Sequence, residues 1–373
     1  MRNAEKSRTL LRQTARSSLS WFRCVLRDGR RKLIRENSVM TTTESAPLTQ
    51  DTIAGRIATV FGGSGFLGRS LIRLLAREGY QIRVPVRDPE QVMKLKSAGS
   101  VGQIVPLGVS LGSPDAEAGI ARAVQGASLV VNLVGLLAEA RKGDFQRVHV
   151  QAAGLIASLS ARAGVLSFVH ISALGADPAS PSAYGRSKAE GEQAVRSAVP
   201  QAAILRPSVV FGAEDHFFNR FAAMAVSLPA VPVIYGDSLM QPVYVEDVAR
   251  AILAASMQAA GNVIELGGPE VLTMRDIQHR ILTMIGRKKP LIDIPDKMAM
   301  ALAMIAEKMP GRPLTTDQLA MLGSGSVVSP QALTLETLGI VPTPIDLVVP
   351  HYLSRYRVGG LVARRVRKTT HSK

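Results

Sequence analysis

Three residues in the middle of the chain have the types and spacing needed for acid–base chemistry at a carbonyl or alcohol. Tyr184 and Lys188 stand four residues apart in the stretch YGRSK, so a helix places both on one face. Ser172 precedes them, at the end of an apolar segment typical of a strand. A Lys ammonium beside the phenol can lower its pKa, and the Tyr can exchange a proton with a substrate oxygen that the Ser hydrogen-bonds. We take Ser172, Tyr184 and Lys188 as candidate catalytic residues.

A glycine-rich turn near the start of the globular part is suited to holding a diphosphate. Ile57–Phe61 reads as a buried strand, and the glycines that follow have the spacing G-x-x-G-x-x-G before an amphipathic helix. Gly62 allows a tight turn, Gly65 lets the pyrophosphate approach the backbone, and Gly68 lets the helix pack closely on the sheet. Free N–H groups at the helix start attract phosphate. The predicted cofactor-binding residues here are Gly62, Gly63, Ser64, Gly65, Phe66, Leu67 and Gly68.

The end of the second predicted strand, QIRVPVRDPE, bears on which nicotinamide coenzyme binds. NAD enzymes usually place an acidic residue there to bond the ribose, whereas this chain has Arg87 followed by Asp88. The planar guanidinium of Arg87 pairs well with a 2′-phosphate, which favours NADP(H) over NAD(H). The alternative is that Asp88 bonds the ribose and Arg87 faces solvent. Both are predicted cofactor contacts, as are the ribose-side Tyr184 and Lys188.

Alternating strands and helices predict an α/β fold with a Rossmann-type, doubly wound parallel sheet. A smaller α/β lobe at the C-terminal side is expected to be interleaved with it. Further strands are predicted near 104–107, 128–134, 166–171 and 202–206, and helices near 114–124, 145–163 and 185–198. The predicted domains are a basic segment 1–50, a nucleotide-binding domain 51–210, a C-terminal lobe 211–350 from which 240–257 returns to the first domain, and a basic tail 351–373.

The net charge of +16 is confined mostly to the two ends of the chain. Residues 1–40 contain eleven Lys and Arg against three acids, and residues 355–373 contain seven and no acid, which leaves residues 41–354 almost neutral. No nucleic-acid recognition motif accompanies these ends, so we expect no nucleic-acid partner. An anionic membrane surface or an acidic partner fits them better.

Other features of the composition limit the possible functions. The six histidines have no metal-ligand spacing, so we expect no metal, and Cys24 is the single cysteine, which excludes a disulfide framework. No apolar run reaches the length of a membrane span, so no transmembrane segment is expected. The longest candidate, Met298–Ala306, is interpreted as a helix half-buried in the core.

The first forty residues are rich in Arg, Ser and Leu and poor in acids. Such a segment resembles a mitochondrial transit peptide. The alternative is a start codon assigned too far upstream, with Met40 as the natural start of a bacterial protein. The two interpretations place the protein respectively on the matrix side of the mitochondrial inner membrane or peripherally on the cytoplasmic side of a bacterial inner membrane.

Taken together, the glycine turn and the Ser-Tyr-Lys set resemble the short-chain dehydrogenase/reductase superfamily in its extended or atypical branch. The resemblance covers about residues 55–290 and includes LRPSVVFG and QPVYVEDVARAI. It implies that Pro207 flanks the nicotinamide, and Val134 is a further expected cofactor contact. Val109 departs from the pattern, because an Asp that meets the adenine often follows the third strand in this branch.

The region from Asp317 to Gly360 resembles more narrowly the nucleotide-binding accessory subunits of respiratory complex I, the NADH:ubiquinone oxidoreductase. That resemblance implies a retained NADPH, complex I subunits as partners, a peripheral position near the quinone region and no necessary turnover. The alternative is a free oxidoreductase or epimerase that uses Ser172, Tyr184 and Lys188 on a sugar-nucleotide, steroid or quinone-like substrate.

Overall fold

The structure is a computed structural model that describes residues 56–309 and 314–362. The predicted basic segment 1–50 and the last eleven residues of the predicted basic tail lie outside the described residues. Within the described ranges, no helix is long and apolar enough to cross a membrane.

A seven-stranded sheet forms the centre of the fold, and every neighbouring pair in it is parallel. The strand order is β11-β6-β5-β4-β1-β2-β3, so the order reverses between β1 and β4. In open parallel sheets, ligands bind outside the carboxyl ends of the strands at such a reversal. The strands are β1 (Ile57–Phe61), β2 (Gln81–Val86), β3 (Ile104–Gly108), β4 (Leu129–Asn132), β5 (Ser167–Ile171), β6 (Ala203–Pro207) and β11 (Val263–Leu266).

Helices cover both faces of this sheet, which confirms the predicted α/β class and its doubly wound sheet. One face packs against an apolar cluster that includes α1 and α6, and the other packs against α2, α3 and α4. A short π-helical segment, Gln146–Gln151, leads directly into α3. The helices are α1 (Phe66–Arg77), α2 (Ala116–Val124), α3 (Ala152–Arg162), α4 (Ala183–Ala198) and α6 (Val245–Gln258).

The chain after β6 builds a second apolar cluster from short strand pairs and helices. Its strands are β7 (Val210–Phe211), β8 (Val231–Val233), β9 (Leu239–Met240), β10 (Val243–Tyr244), β12 (Leu272–Thr273) and β13 (Leu291–Asp293). The helices of this part of the chain are α5 (Phe218–Ser227), α7 (Met274–Met284), α8 (Asp296–Ala306), α9 (Thr316–Ser324) and α10 (Ile345–Leu353), and α8 belongs to a separate small apolar cluster. Between these elements the chain returns to the sheet, because α6 packs on it and β11 extends its edge.

The methionine-rich stretch does form a helix, α8, but it is less buried than its composition predicts. Only Ala299 and Ala303 of its eleven residues are buried, and they pack against Leu319 of α9. The large apolar side chains of α8 are exposed. The expectation of a helix half-buried in the core was therefore wrong, because two alanines, not the methionines, make the contact.

Candidate functional site

The glycine turn lies between β1 and α1 at the point where the strand order reverses. Gly62 has φ of +77°, a left-handed conformation that favours glycine, and its carbonyl accepts a hydrogen bond of 3.0 Å from the Gly65 N–H. A Cβ placed on Gly68 would lie 2.5 Å from the Gly62 oxygen and 2.5 Å from the Gly63 Cα. Real Cβ contacts do not approach this closely, so the packing of helix on turn requires glycine at position 68.

The start of α1 presents backbone N–H groups at this turn. Within the described chain, no side chain caps α1 at Gly65, and its first turn has no acidic residue. The unpaired N–H groups and the positive end of the helix dipole therefore suit an anion. Arg69 is directed to the same turn, since its Nη1 donates to the Ser64 carbonyl at 2.7 Å and its Nη2 pairs with Glu214.

The predicted adenosine-side residues lie at the carboxyl ends of β2 and β3. Arg87 and Asp88 are both exposed just after β2. The Asp88 carboxylate accepts a 3.0 Å hydrogen bond from the Glu90 N–H and so caps the helical turn that follows. Val109 directly follows β3 and is buried against Gly119 of α2, so no polar side chain stands at this position. Arg87 thus lies exposed at the end of β2, while one carboxylate oxygen of Asp88 is engaged with backbone.

Val134 and Pro207 lie at different positions along the carboxyl edge of the sheet. Val134 follows β4 by two residues, and its N–H donates to the Asn132 side chain at 3.1 Å. It therefore lies beside the glycine turn, because β4 pairs with β1. Pro207 ends β6, two strands further along the sheet. The dinucleotide would have to extend from the first region to the second along the carboxyl edge, as the fold allows.

Helix α4 carries two of the candidate catalytic residues, Tyr184 and Lys188, and brings Lys188 to the end of β5. Lys188 is buried, and its Nζ donates to the Ile171 carbonyl at 2.7 Å, immediately before Ser172. The Ser172 N–H is bonded to the Leu205 carbonyl at 2.7 Å, while its buried Oγ makes no hydrogen bond within the described part of the chain. A buried hydroxyl without a partner is costly, so a ligand oxygen at this point would satisfy it.

The phenol of Tyr184 sits among aromatic rings. Its ring packs edge-on against the rings of Phe145 and His149, with ring centroids 5.9 Å and 5.5 Å apart. Burial raises the pKa of Tyr184 to about 12, so the lowering by Lys188 that the sequence suggested is not found. Burial also lowers the pKa of Lys188 to about 8. At neutral pH the phenol therefore holds its proton, which suits donation to a substrate oxygen better than abstraction from an alcohol.

Two buried histidines support this region and were not recognised as supporting residues from the sequence. The Leu136 N–H donates to the Nε2 of His149 at 2.9 Å, so the proton is on Nδ1, which lies 2.8 Å from the Ser187 Oγ. Burial lowers the pKa of His149 to about 3, with the charge of Lys188 as a second cause. His170, in β5, is 3.2 Å from the Asn132 amide, and burial places its pKa well below the usual value.

Asp317 is the residue of this region that sequence reasoning missed most completely. Its carboxylate accepts from the Ser182 hydroxyl at 3.0 Å, from the Ala183 N–H at 2.6 Å and from the Tyr184 N–H at 3.2 Å. These are the donors at the start of α4, where a negative charge is stabilised by the helix dipole. The only sequence signal is the capping box of its own helix, formed by Thr315 and Gln318.

The chain that follows Asp317 continues along the carboxyl edge of the sheet. The Ser208 hydroxyl, just after β6, donates to the Ser326 carbonyl at 2.8 Å. The Val328 N–H donates to the Gln241 side chain at 3.0 Å, and the Ser329 N–H to Glu265 of β11 at 2.8 Å. We call residues 315–329 the C-terminal strap. It joins the start of α4 to the ends of β6 and β11.

These features together define a Rossmann-type dinucleotide-binding protein with a Ser-Tyr-Lys set. Residues 58–267 match the model of the NAD dependent epimerase/dehydratase family. The chain belongs to this family, as the fold and the glycine turn indicate.

The similarity to individual proteins is more specific. The chain is 34% identical over 326 residues to NADH dehydrogenase [ubiquinone] 1 alpha subcomplex subunit 9, mitochondrial, of Arabidopsis thaliana, an alignment that covers 83% of this chain and 80% of the relative. It is 32% identical over 248 residues to a ceramide reductase of Caulobacter vibrioides, covering 66% of this chain and 75% of the relative. The structure of an Escherichia coli NADPH-dependent quinone oxidoreductase complexed with NADPH superposes with a TM-score of 0.63, 19% identity, and coverage of 79% and 99%.

Proposed function

We propose that the protein is a nucleotide-binding accessory subunit of a complex I-type NADH dehydrogenase, in which the dinucleotide is mainly structural. The observation that carries this proposal is the C-terminal strap. It bonds the first donors of the helix that bears Tyr184 and Lys188, and it covers the edge of the sheet at β6 and β11. A site that is held by these hydrogen bonds favours retention of a bound molecule over repeated exchange of substrate.

The glycine turn supports the dinucleotide in this proposal. Its backbone lies where a Cβ would block helix packing, and the start of α1 offers N–H groups to the pyrophosphate. A ligand held at one hundred times its dissociation constant stabilises the folded state by about 2.7 kcal/mol. Such a contribution is enough to retain the site without catalysis. The exposed Arg87 after β2 favours NADP(H) over NAD(H).

The similarity to subunit 9 proteins supports association with complex I, because it extends over most of both chains. We place the protein peripherally on the cytoplasmic side of a bacterial inner membrane, or on the matrix side if residues 1–40 are a transit peptide. The strongly basic ends of the chain favour contact with anionic lipid or an acidic subunit.

Native purification from membranes tests this function directly. The protein is expected to co-purify with NADH dehydrogenase activity and to release a dinucleotide, mainly the phosphorylated form, on denaturation. The proposal would be contradicted if the protein separated from the respiratory complex during fractionation, or if it released no nucleotide.

The unpartnered Ser172 hydroxyl favours a second candidate, a free reductase. When bound, a reduced nicotinamide supplies a hydride; Tyr184 would give its proton to the carbonyl oxygen, and Ser172 would hydrogen-bond that oxygen. Lys188 would orient the ribose. A turnover assay with ketone substrates and Tyr184→Phe separates the two functions. In a reductase the substitution abolishes carbonyl reduction, whereas in an accessory subunit it leaves assembly and nucleotide content unchanged.

A further inference from the structure

A loop after β7 connects the start of α1 with the C-terminal end of the described chain. We call residues 212–217, between β7 and α5, the β7–α5 loop. A Cβ placed on Gly212 would lie 3.1 Å from the Cζ of Phe66, the first residue of α1, so the loop and this helix are in close contact. Glu214 pairs with Arg69, whose Nη1 also donates to a backbone carbonyl of the glycine turn. The loop therefore borders the helix end that is suited to a diphosphate.

A buried carboxylate holds this loop in place. Asp215 is only 3% exposed, and its Oδ2 accepts hydrogen bonds from the Gly212 N–H at 3.2 Å and from the Tyr352 hydroxyl at 2.6 Å. Its Oδ1 accepts from the N–H of Asn219, in the first turn of α5, at 3.1 Å. Because a buried carboxylate needs hydrogen bonds in place of its hydration, each of these three donors stabilises the loop.

Two residues from the C-terminal end of the described chain bond to this region. Tyr352 lies in α10, 137 residues after Asp215. Arg355 lies in the short helical turn that follows α10, and its Nη2 donates to the Asn219 side chain and, at 3.3 Å, to a carbonyl of the β7–α5 loop. Burial and the charge of Asp215 raise the pKa of Tyr352, so its hydroxyl keeps its proton and donates throughout the physiological pH range.

The relative strengths of these contacts decide what fixes the loop beside the glycine turn. Arg69 and Glu214 are 32% and 51% exposed, and a pair as exposed as this contributes little alone. Asp215 follows Glu214 directly in the chain, so the position of one side chain depends on that of the other. The loop is therefore fixed mainly by the buried Asp215, to which Tyr352 donates.

We propose that Tyr352 and Arg355 are positioning residues of the nucleotide site, which hold the β7–α5 loop against the start of α1 and thereby slow the release of bound NADP(H). Release of a dinucleotide from the glycine turn requires neighbouring elements to move, and a loop bonded on two sides resists that movement. The proposal rests on the nucleotide-binding function proposed above and adds a role for the C-terminal end of the described chain. By linkage, bound coenzyme stabilises α10 in return.

Stopped-flow measurement of NADPH release from the full chain tests this proposal. Protein loaded with NADPH is mixed with excess NADP⁺, and the change in coenzyme fluorescence gives the release rate. Tyr352→Phe removes one donor to the buried Asp215, so it is expected to speed release about fivefold and to leave the association rate unchanged. The matched control is Tyr356→Phe, because the hydroxyl of this buried tyrosine makes no hydrogen bond within the described residues. Its release rate should equal that of the parent chain.

A second variant keeps every donor to the buried carboxylate. Arg355→Gln removes the guanidinium that bonds Asn219 and the loop, and it should speed release about threefold. It serves as the test if Tyr352→Phe does not fold.

Hydrogen exchange supplies a readout that a purely structural role would not change. Saturating NADPH should slow exchange in α10 of the parent chain as well as at the start of α1. In Tyr352→Phe the protection of α10 should disappear, while the protection of α1 should remain.

Equal release rates for Tyr352→Phe and Tyr356→Phe would overturn the proposal, as would a parental rate in Arg355→Gln if Tyr352→Phe does not fold. NADPH protection that reaches α1 and not α10 in the parent chain would also overturn it. Each of these results leaves the nucleotide-binding function standing. A parent chain without saturable NADPH binding would overturn both proposals, and this outcome is distinguishable because no release could be measured in any variant.

Discussion

The two halves of the candidate site are built by different means. The glycine turn is a backbone surface at the open end of β1, with an exposed Arg87 beside it. The Ser-Tyr-Lys set is made of buried side chains, and the helix that carries two of them is bonded at its start to Asp317 of the C-terminal strap. Binding of a dinucleotide requires mainly the first half. Chemistry on a substrate would require the second, whose side chains are buried.

This difference explains how one family can include enzymes and a subunit of a respiratory complex. A reductase needs Ser172, Tyr184 and Lys188 reachable by substrate, whereas a retained nucleotide needs the glycine turn and a ribose contact. In this chain the C-terminal strap is hydrogen-bonded to the start of α4, the helix that carries Tyr184 and Lys188. Substitutions that perturb one half at a time therefore show how far the other half depends on it.

The largest effect is expected from Gly68→Ala in the glycine turn. Its Cβ would lie 2.5 Å from the Gly62 oxygen, so the turn must shift at a cost of about 3 kcal/mol and dinucleotide binding should be lost. Urea denaturation and NADPH titration measure the two effects. Gly112→Ala is the control, because a Cβ there meets no described atom within 4 Å. Normal NADPH binding by Gly68→Ala would show that the phosphates bind elsewhere.

Acid should lower the stability of the fold through His149, which packs against Tyr184 in the second half of the site. The unfolded histidine titrates near pH 6.5, while in the fold its pKa is about 3, so the unfolded state binds the extra proton as the pH falls. The contribution of His149 to the free energy of unfolding is therefore complete above pH 6.5. At pH 5 it should be smaller by about 2 kcal/mol. Denaturant unfolding at several pH values measures the slope. His149→Gln should reduce the slope, and an identical slope would contradict the assignment.

Asp317→Ala should loosen the start of α4. It leaves the Ser182 hydroxyl and the Ala183 and Tyr184 N–H groups without their acceptor, at an expected cost of about 1–2 kcal/mol. Hydrogen exchange at the first turn of α4 should accelerate.

The control for this change is Asp296→Ala, which removes an exposed acid from the first turn of α8. It should leave exchange in α4 unaltered. Equal exchange at α4 in both variants would mean that the strap does not hold that helix.

The smallest effect is expected from Arg87→Ala at the glycine-turn end. Loss of the guanidinium should weaken NADPH by about tenfold and leave NADH nearly unchanged. Calorimetric titration with both coenzymes measures the preference. Arg77→Ala removes an exposed arginine from the far end of α1 and should change neither affinity. Tighter NADH than NADPH in the parent chain would refute the preference for the phosphorylated coenzyme.

The first half of the site was predictable from the sequence because its signals are local. A strand, a glycine spacing and an amphipathic helix occur within one short stretch, and the observed β1 and α1 have the predicted positions. The alternating pattern likewise predicted the strands β2 to β6 and the helices α2 to α4 to within a few residues, whereas the edge strand β11 was not predicted. Local periodicity carries this information, since each element buries one face or both.

The supporting contacts of the second half were not predictable in the same way. Asp317 caps a helix that begins 134 residues earlier in the chain, at Ala183, and no spacing within the sequence encodes that meeting. The pairing of His149 with Ser187 joins residues 38 positions apart for the same reason. For α8, the helix was predictable and its environment was not. An apolar helix has the same composition whether it faces a core, a membrane or a partner.

Thermal unfolding of the full chain during titration with NADPH and NADH tests the central claim most directly. The account predicts saturable stabilisation, stronger with NADPH, that Gly68→Ala abolishes and Tyr184→Phe preserves. A melting temperature that neither coenzyme changes, in a protein purified without nucleotide, would contradict it.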